Sequence, residues 1–160
     1  MMCCLLVLVT GSVAQQVPDF SGKYVLRSSG ISDSGRAAYT GNVSSDRLVK
    51  RVVQDHESVK IILEGKTGEV TREYRLDGSK IRGEEPDGTP TVEWAEIKGK
   101  QLIIRSSLKV ATGALKDVPT TKTQKWELSK DLRTVTIREQ LHAEGLHVRN
   151  DLLTITYARY

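Results

Sequence analysis

The residues best placed to do chemistry are charged side chains that alternate in step with apolar ones. Arg72 stands two residues from Tyr74, Glu96 two from Trp94, and Lys122 two from Gln124 and four from Trp126. In an extended chain such positions lie on one face. Glu139 likewise shares a face with Ile137, and Arg149 and Asp151 share one with Leu153. If the apolar set points inward, these charges go with it, and buried charges need partners. The pattern is that of a polar end within an apolar interior, where Arg72, Lys122 and Arg149 face Glu96, Glu139 and Asp151. Its chemistry would be recognition, with Arg72 or Arg149 paired to the acidic head group of a lipid-like molecule. Tyr24, Tyr74, Trp94, Trp126 and Tyr157 would line the cavity if the interior is wide, and would otherwise fill it. The competing reading puts the charges near strand ends, where long side chains reach water.

Other chemistry finds no frame in the sequence. His56 falls in a turn, and His142 and His147 flank another, with no carboxylate spaced to complete a metal site. Cys3 and Cys4 are the only cysteines, so the rest of the chain has no disulfide, thiol nucleophile or thiolate ligand. There is no HExxH, P-loop, GxGxxG or nucleophile elbow. Ser106-Ser107 has no partnered histidine, and Glu84-Glu85 runs into the turn Pro86-Asp87-Gly88. The expectation is a protein that is not an enzyme and needs neither metal nor cofactor.

The elements that must position these residues are strands. In the stretch Thr121–Leu141, Gln124, Trp126 and Leu128 alternate with polar residues, Ser129-Lys130-Asp131 turn the chain, and Val135, Ile137 and Leu141 resume the alternation. That is a hairpin with one buried face. The plan recurs in Arg47–Glu64, with Val59, Ile61 and Leu63 inward, and in Thr91–Val110, which places Val92 and Trp94 together. Asp77-Gly78 is a tight-turn signal, because glycine accepts positive φ. Strands are expected from Phe20 to Leu26, from Glu69 to Leu76, from Lys80 to Glu84, and finally from His147 to Tyr157, with Ser28–Asp46 as a long loop. No helical periodicity follows residue 20. The fold class is therefore all-β: an antiparallel up-and-down meander of eight to ten strands. A sheet that long exposes its edges unless it closes, so a barrel, closed or incompletely closed, is favoured over a two-layer sandwich.

Composition agrees with one small β-domain. Of 160 residues, 38% are hydrophobic and 28% charged, which suits a sheet with one wet face. The net charge of +4, from 24 basic and 20 acidic residues, is interspersed and not gathered in blocks. That is a solvated surface and no nucleic-acid footprint. Met1–Ala14 contains no charged residue, and its apolar run Cys3–Val9 is too short to span a bilayer. Small residues at Ser12 and Ala14 mark a signal peptide cleaved between Ala14 and Gln15. The domain would then be residues 15–160, secreted or periplasmic, without a transmembrane segment, and monomeric. Asn42-Val43-Ser44 matches a glycosylation sequon, a pattern common by chance.

Phe20-Ser21-Gly22-Lys23-Tyr24 opens the first strand. It resembles the Phe-x-Gly-x-Trp/Tyr start of lipocalins and fatty-acid-binding proteins, the calycin group. The resemblance implies a lipocalin-like barrel closed at one end by the aromatic, with glycine letting the chain bend into the wall. It also implies a small apolar or amphipathic ligand inside. The Arg-x-Tyr pair with which fatty-acid-binding proteins hold a carboxylate does not carry over to the ending Tyr157-Ala158-Arg159-Tyr160. Nor does Ser28–Asp46 form the amphipathic helical lid of those proteins, since Gly30, Gly35 and Gly41 oppose it. The alternative function is a non-catalytic interaction module of the cell envelope with a filled core.

Overall fold

Alternation at period two runs through almost every segment, and the chain answers with strands. The computed structural model describes residues 17–31, 49–65, 68–84, 89–109, 118–145 and 153–160. In chain order the strands are β1 (Gly22–Ile31), β2 (Val49–Gln54), β3 (Ser58–Gly65), β4 (Gly68–Arg75) and β5 (Ile81–Glu84). β6 (Pro90–Lys98), β7 (Gln101–Lys109), β8 (Pro119–Leu128), β9 (Thr134–Ala143) and β10 (Leu153–Arg159) follow. They form one ten-stranded sheet in the order β4-β3-β2-β1-β10-β9-β8-β7-β6-β5. Every pairing is antiparallel, and β1 pairs with β10, so first and last strands meet in mid-sheet. The meander therefore curls into a barrel with a single seam, where edge strands β4 and β5 are not paired.

Register lines the inward side chains into rows. Ile97, Leu102, Trp126, Ile137 and Ile155 lie side by side across β6 to β10. The next row is Ala95, Ile104, Gln124, Glu139 and Leu153, and the next is Glu93, Ser106, Lys122 and Leu141. Apolar side chains concentrate towards one end, which is plugged. There Phe20 is fully buried. Gln54 accepts a hydrogen bond from Phe20 N at 3.0 Å and donates to Pro18 O at 2.8 Å. The Tyr24 hydroxyl donates to Phe20 O at 2.8 Å. Arg159 lies over the Tyr24 ring, 5.9 Å from its centroid, and donates to Ser21 O. Gly22 sits at φ +149°, a conformation that side-chain-bearing residues rarely adopt, so the backbone there favours glycine.

Three expectations are corrected. β1 runs on to Ile31 through Ser28, where a loop is expected, because it pairs with β10 past a bulge between Leu26 and Ser28. The last strand extends to Arg159, two residues past its expected end, because Ala158 and Arg159 pair with Val25 and Tyr24 of β1, while its expected beginning, residues 147–152, lies outside the described residues. β6 presents the opposite face: Thr91, Glu93 and Ala95 are buried, whereas Val92, Trp94 and Glu96 point outward. The remainder of the expected loop, residues 32–46, the first two residues of the strand expected from Arg47, and the signal peptide with its cleavage site lie outside the described residues.

The Ser129–Thr134 turn stores strain at one residue. Leu132 has φ 59° and is half-exposed, while its N–H donates to Ser129 O at 2.9 Å. A left-handed leucine costs about 1–2 kcal/mol. Leu132→Gly should therefore raise stability by about 0.5–1 kcal/mol net of glycine's greater unfolded-state entropy, read as a higher urea midpoint at unchanged slope.

Candidate functional site

Two polar groupings interrupt the apolar interior, and each is built by strand parity. The first lies on β8, β9 and β10. Trp126 and Gln124 are two apart on β8, so both point inward, and the indole Nε1 donates to Gln124 Oε1 at 3.3 Å. Gln124 pairs across the sheet with Glu139, and its Nε2 donates to Glu139 Oε2 at 2.7 Å. The amide is thus fixed from both sides. Tyr157 enters from β10 and is 2% exposed. Burial, with the Glu139 carboxylate adding to it, pushes its phenol well above the ordinary tyrosine value. Its hydroxyl makes no hydrogen bond to any described residue. Lys50, inward on β2 by the parity of Val52, sets its ammonium 5.0 Å from the Trp126 ring centroid and 4.9 Å from that of Tyr157. Such cation–π contacts are worth about 0.5–2 kcal/mol and hold Lys50 over the aromatic pair.

The second grouping spans the seam. Glu93 is 1% exposed. Its carboxylate accepts from Arg72 Nη1, from the Tyr74 hydroxyl at 2.7 Å and from Thr91 Oγ1 at 2.8 Å. Arg72 also donates to Glu84 O on β5. These bonds join β4 to β5 and β6 where no β4–β5 ladder exists. At the plugged end the backbone takes over, with Gly78 N donating to Ala95 O at 3.1 Å and a bridge between Asp77 and Glu96. At the Arg72–Glu93 pair the seam holds a cleft of about 260 Å³ lined by Val70, Arg72, Ile81, Gly83, Glu84 and Glu93. A Cβ on Gly83 would stand 2.7 Å from Glu93 Oε1, so glycine gives the carboxylate its room.

Of the residues expected to line a ligand site, Trp126 and Tyr157 come together under Lys50. Arg72 and Tyr74 meet at the seam through Glu93 and not at a ligand head group. Tyr24 belongs to the plug. Trp94 is corrected to the outer wall, where the Lys80 ammonium lies 5.3 Å from its ring. Glu93 took its place because a carboxylate met by Arg72 and Tyr74 is held inside, and its neighbours Ala95 and Ile97 follow it into the core. Glu96, expected inward, pairs outside with Arg105 at 2.7 Å. Arg149 and Asp151 lie outside the described residues. Sequence reading missed Lys50 and Glu93. The signal for Lys50 was its parity with Val52, and for Glu93 its parity with Ala95 and Ile97.

No family model and no curated protein matches the sequence. Solved structures do match the backbone. A fatty acid transporter, REP1-NXSQ, superposes with a TM-score of 0.57 over 88% of this chain and 96% of its own, at 14% identity. Human cRBP IV gives 0.55 over 89% and 98%, at 15% identity. A fatty-acid-binding protein from the brain of Drosophila melanogaster gives 0.55 over 88% and 99%, at 16% identity. The chain shares the barrel fold of these structures, the calycin-like barrel that the Phe20–Tyr24 resemblance implied, here with ten strands. At these identities the likeness extends to the backbone alone, so the interior chemistry must be read from this chain's own side chains.

The seam chemistry makes a direct prediction. Removing one partner of a buried ion pair leaves the other uncompensated, at a cost of about 3–5 kcal/mol. Because Arg72 is partly exposed, Glu93→Gln should destabilise at the lower end, about 3 kcal/mol, and Tyr74→Phe by about 1 kcal/mol. Urea unfolding of the two variants checks both values and their order.

Proposed function

We propose that the barrel binds a small apolar or amphipathic molecule. Its apolar body would lie along the row Leu102, Trp126, Ile137 and Ile155, and its polar end would sit at Tyr157, Gln124 and Glu139. The observation that carries this reading is the Tyr157 hydroxyl, buried, inward and without a hydrogen-bond partner among the described residues. A buried hydroxyl left unpaired costs about 1–3 kcal/mol, and an acceptor on a ligand would recover that. Glu139 adds an acceptor, since the bond from Gln124 engages only Oε2. One donor and one acceptor on the same interior suit an uncharged hydroxyl-bearing end, which would give its proton to Glu139 and accept from Tyr157. A carboxylate end would instead face Glu139. Arg72 does not serve this end, since Glu93 and Glu84 O occupy it. The structural neighbours, a fatty acid transporter and a fatty-acid-binding protein, support binding and carriage over catalysis.

The protein is proposed to work as a secreted or periplasmic monomer, freed of residues 1–14. The uncharged Met1–Ala14 stretch with Ser12 and Ala14 supports this. Expression with the native N-terminus in a secreting host should yield a chain starting at Gln15 in the medium or periplasm, and intact-mass measurement reads this directly. A retained Met1 in the recovered protein would refute processing.

Ligand binding is testable with intrinsic fluorescence. Trp94→Phe leaves Trp126 as the only tryptophan, and Trp126 faces the interior. Titrating that variant with hexadecanol, retinol and palmitic acid should give saturable changes in emission, with the alcohols binding more tightly than the acid. Adding Tyr157→Phe should weaken alcohol binding about fivefold, the value of one hydrogen bond of about 1 kcal/mol. Flat titrations with all three probes would sink the reading.

A further inference from the structure

The outer wall of the barrel is electrically lopsided. On β2 to β4 and the adjoining β1, most outward cations face a carboxylate. Lys23 meets Glu64 at 3.5 Å, Arg51 meets Glu69 at 3.5 Å, Lys60 meets Glu73 at 3.1 Å and Arg75 meets Asp77 at 3.1 Å. Pairs of this kind form a neutral lattice that contributes little net field. The outer face of β5 to β7 is built differently. Its described side chains include Lys80, Arg82, Lys98, Arg105 and Lys109 against only Glu84 and Glu96. Glu96 is taken by Arg105. Arg82, Lys98 and Lys109 make no ion pair with a described residue.

In the middle of that cationic face sit the two apolar residues whose parity ran against expectation. Val92 is 38% exposed and is flanked in register by Arg82 and Ser107. Trp94 is half-buried between Lys80, over its ring, and Arg105, its cross-strand partner. A tryptophan and an aliphatic residue ringed by lysine and arginine form a surface with an apolar centre and a positive rim. Anionic headgroups complement the rim, each basic residue near such a surface contributing about 1 kcal/mol. The centre complements the boundary between headgroup and acyl chain, where tryptophan is favoured. A nucleic acid would use the cations and leave Val92 without a role.

We propose that the outer face of β5 to β7, centred on Val92 and Trp94, docks on an anionic lipid surface. The inference goes beyond the ligand reading and does not depend on it. It also gives the seam a geographic meaning, since Arg82 and Glu84, on the docking face, belong to the lip of the 260 Å³ cleft.

The test is co-sedimentation of the full-length protein with vesicles of phosphatidylcholine alone, or of phosphatidylcholine and phosphatidylglycerol in equal parts. Binding is expected to the mixed vesicles only, and to disappear at high salt. The double variant Arg82→Glu/Lys109→Glu should lose at least tenfold in affinity, and Trp94→Ala severalfold. Arg27→Glu, an exposed charge reversal on the opposite wall, should bind like the parent. Circular dichroism melts establish that each variant is folded. Equal binding to neutral vesicles, no binding to either, or an equal loss with Arg27→Glu would overturn the proposal. So would tighter retention of single-stranded RNA than of mixed vesicles in a competition assay.

Discussion

The barrel depends on a carboxylate inside it. A ten-stranded meander that curls until its edges face each other still has two edges, and β4 and β5 share no ladder. What holds them is Glu93, which accepts from Arg72, Tyr74 and Thr91, while Arg72 reaches on to Glu84 O. Ion pairs of this kind add little net stability compared with an apolar filling, because desolvation offsets most of the attraction. Their effect is specificity. A one-residue slip of β6 would flip every side chain on it, putting Glu93 into water and Trp94 into the core. With Arg72 and Tyr74 already committed to the interior, that slip would leave a buried guanidinium and a buried phenol unmatched. The latch therefore selects the register of β6 as well as closing the seam.

That selection has consequences on both sides of the wall. Inside, Gly83 must remain without a side chain so that Glu93 has room, and β5 is accordingly short and lightly packed. The seam is held by side chains at the cleft and by the Gly78 to Ala95 bond at the plugged end. Outside, Val92 and Trp94 are displaced onto a face that β5 to β7 already make cationic. An apolar surface residue standing alone needs no explanation, but a tryptophan placed outward by the demands of a buried glutamate, among uncompensated cations, forms part of a chemically distinct patch. One interior carboxylate thus helps to shape the surface as well as the core.

Much of the architecture was legible from alternation. Strand Ser58–Gly65 and the hairpin Thr121–Leu141 read correctly because on each strand the large apolar residues outvote the charges, so parity is unambiguous. Leu153, Ile155 and Tyr157 read correctly for the same reason. β6 failed because its two faces nearly balance: Val92, Trp94 and Glu96 against Thr91, Glu93, Ala95 and Ile97. Hydrophobicity favoured the former set. The decision was made by partners on β4 that are about twenty residues away in sequence and that no local count includes. Lys50 was passed over for a related reason. A lysine at an inward position looks like an error until the two rings beneath it, on β8 and β10, are brought there by the sheet order.

The two polar groupings differ in completeness, and that difference separates structure from function. Around Glu93 both carboxylate oxygens are engaged, the donors come from two strands, and the site is closed on itself. On the same interior the chain of bonds runs from Trp126 to Gln124 to Glu139 and then stops, and the Tyr157 hydroxyl makes no hydrogen bond to a described residue. Natural interiors satisfy nearly all their buried polar groups, so a buried hydroxyl left unmet is not a packing accident of the same kind. Arg72, which the sequence offered as a head-group partner, is engaged at the seam by Glu93 and Glu84 O, while Gln124, Glu139 and Tyr157 form the polar set that is not closed on itself.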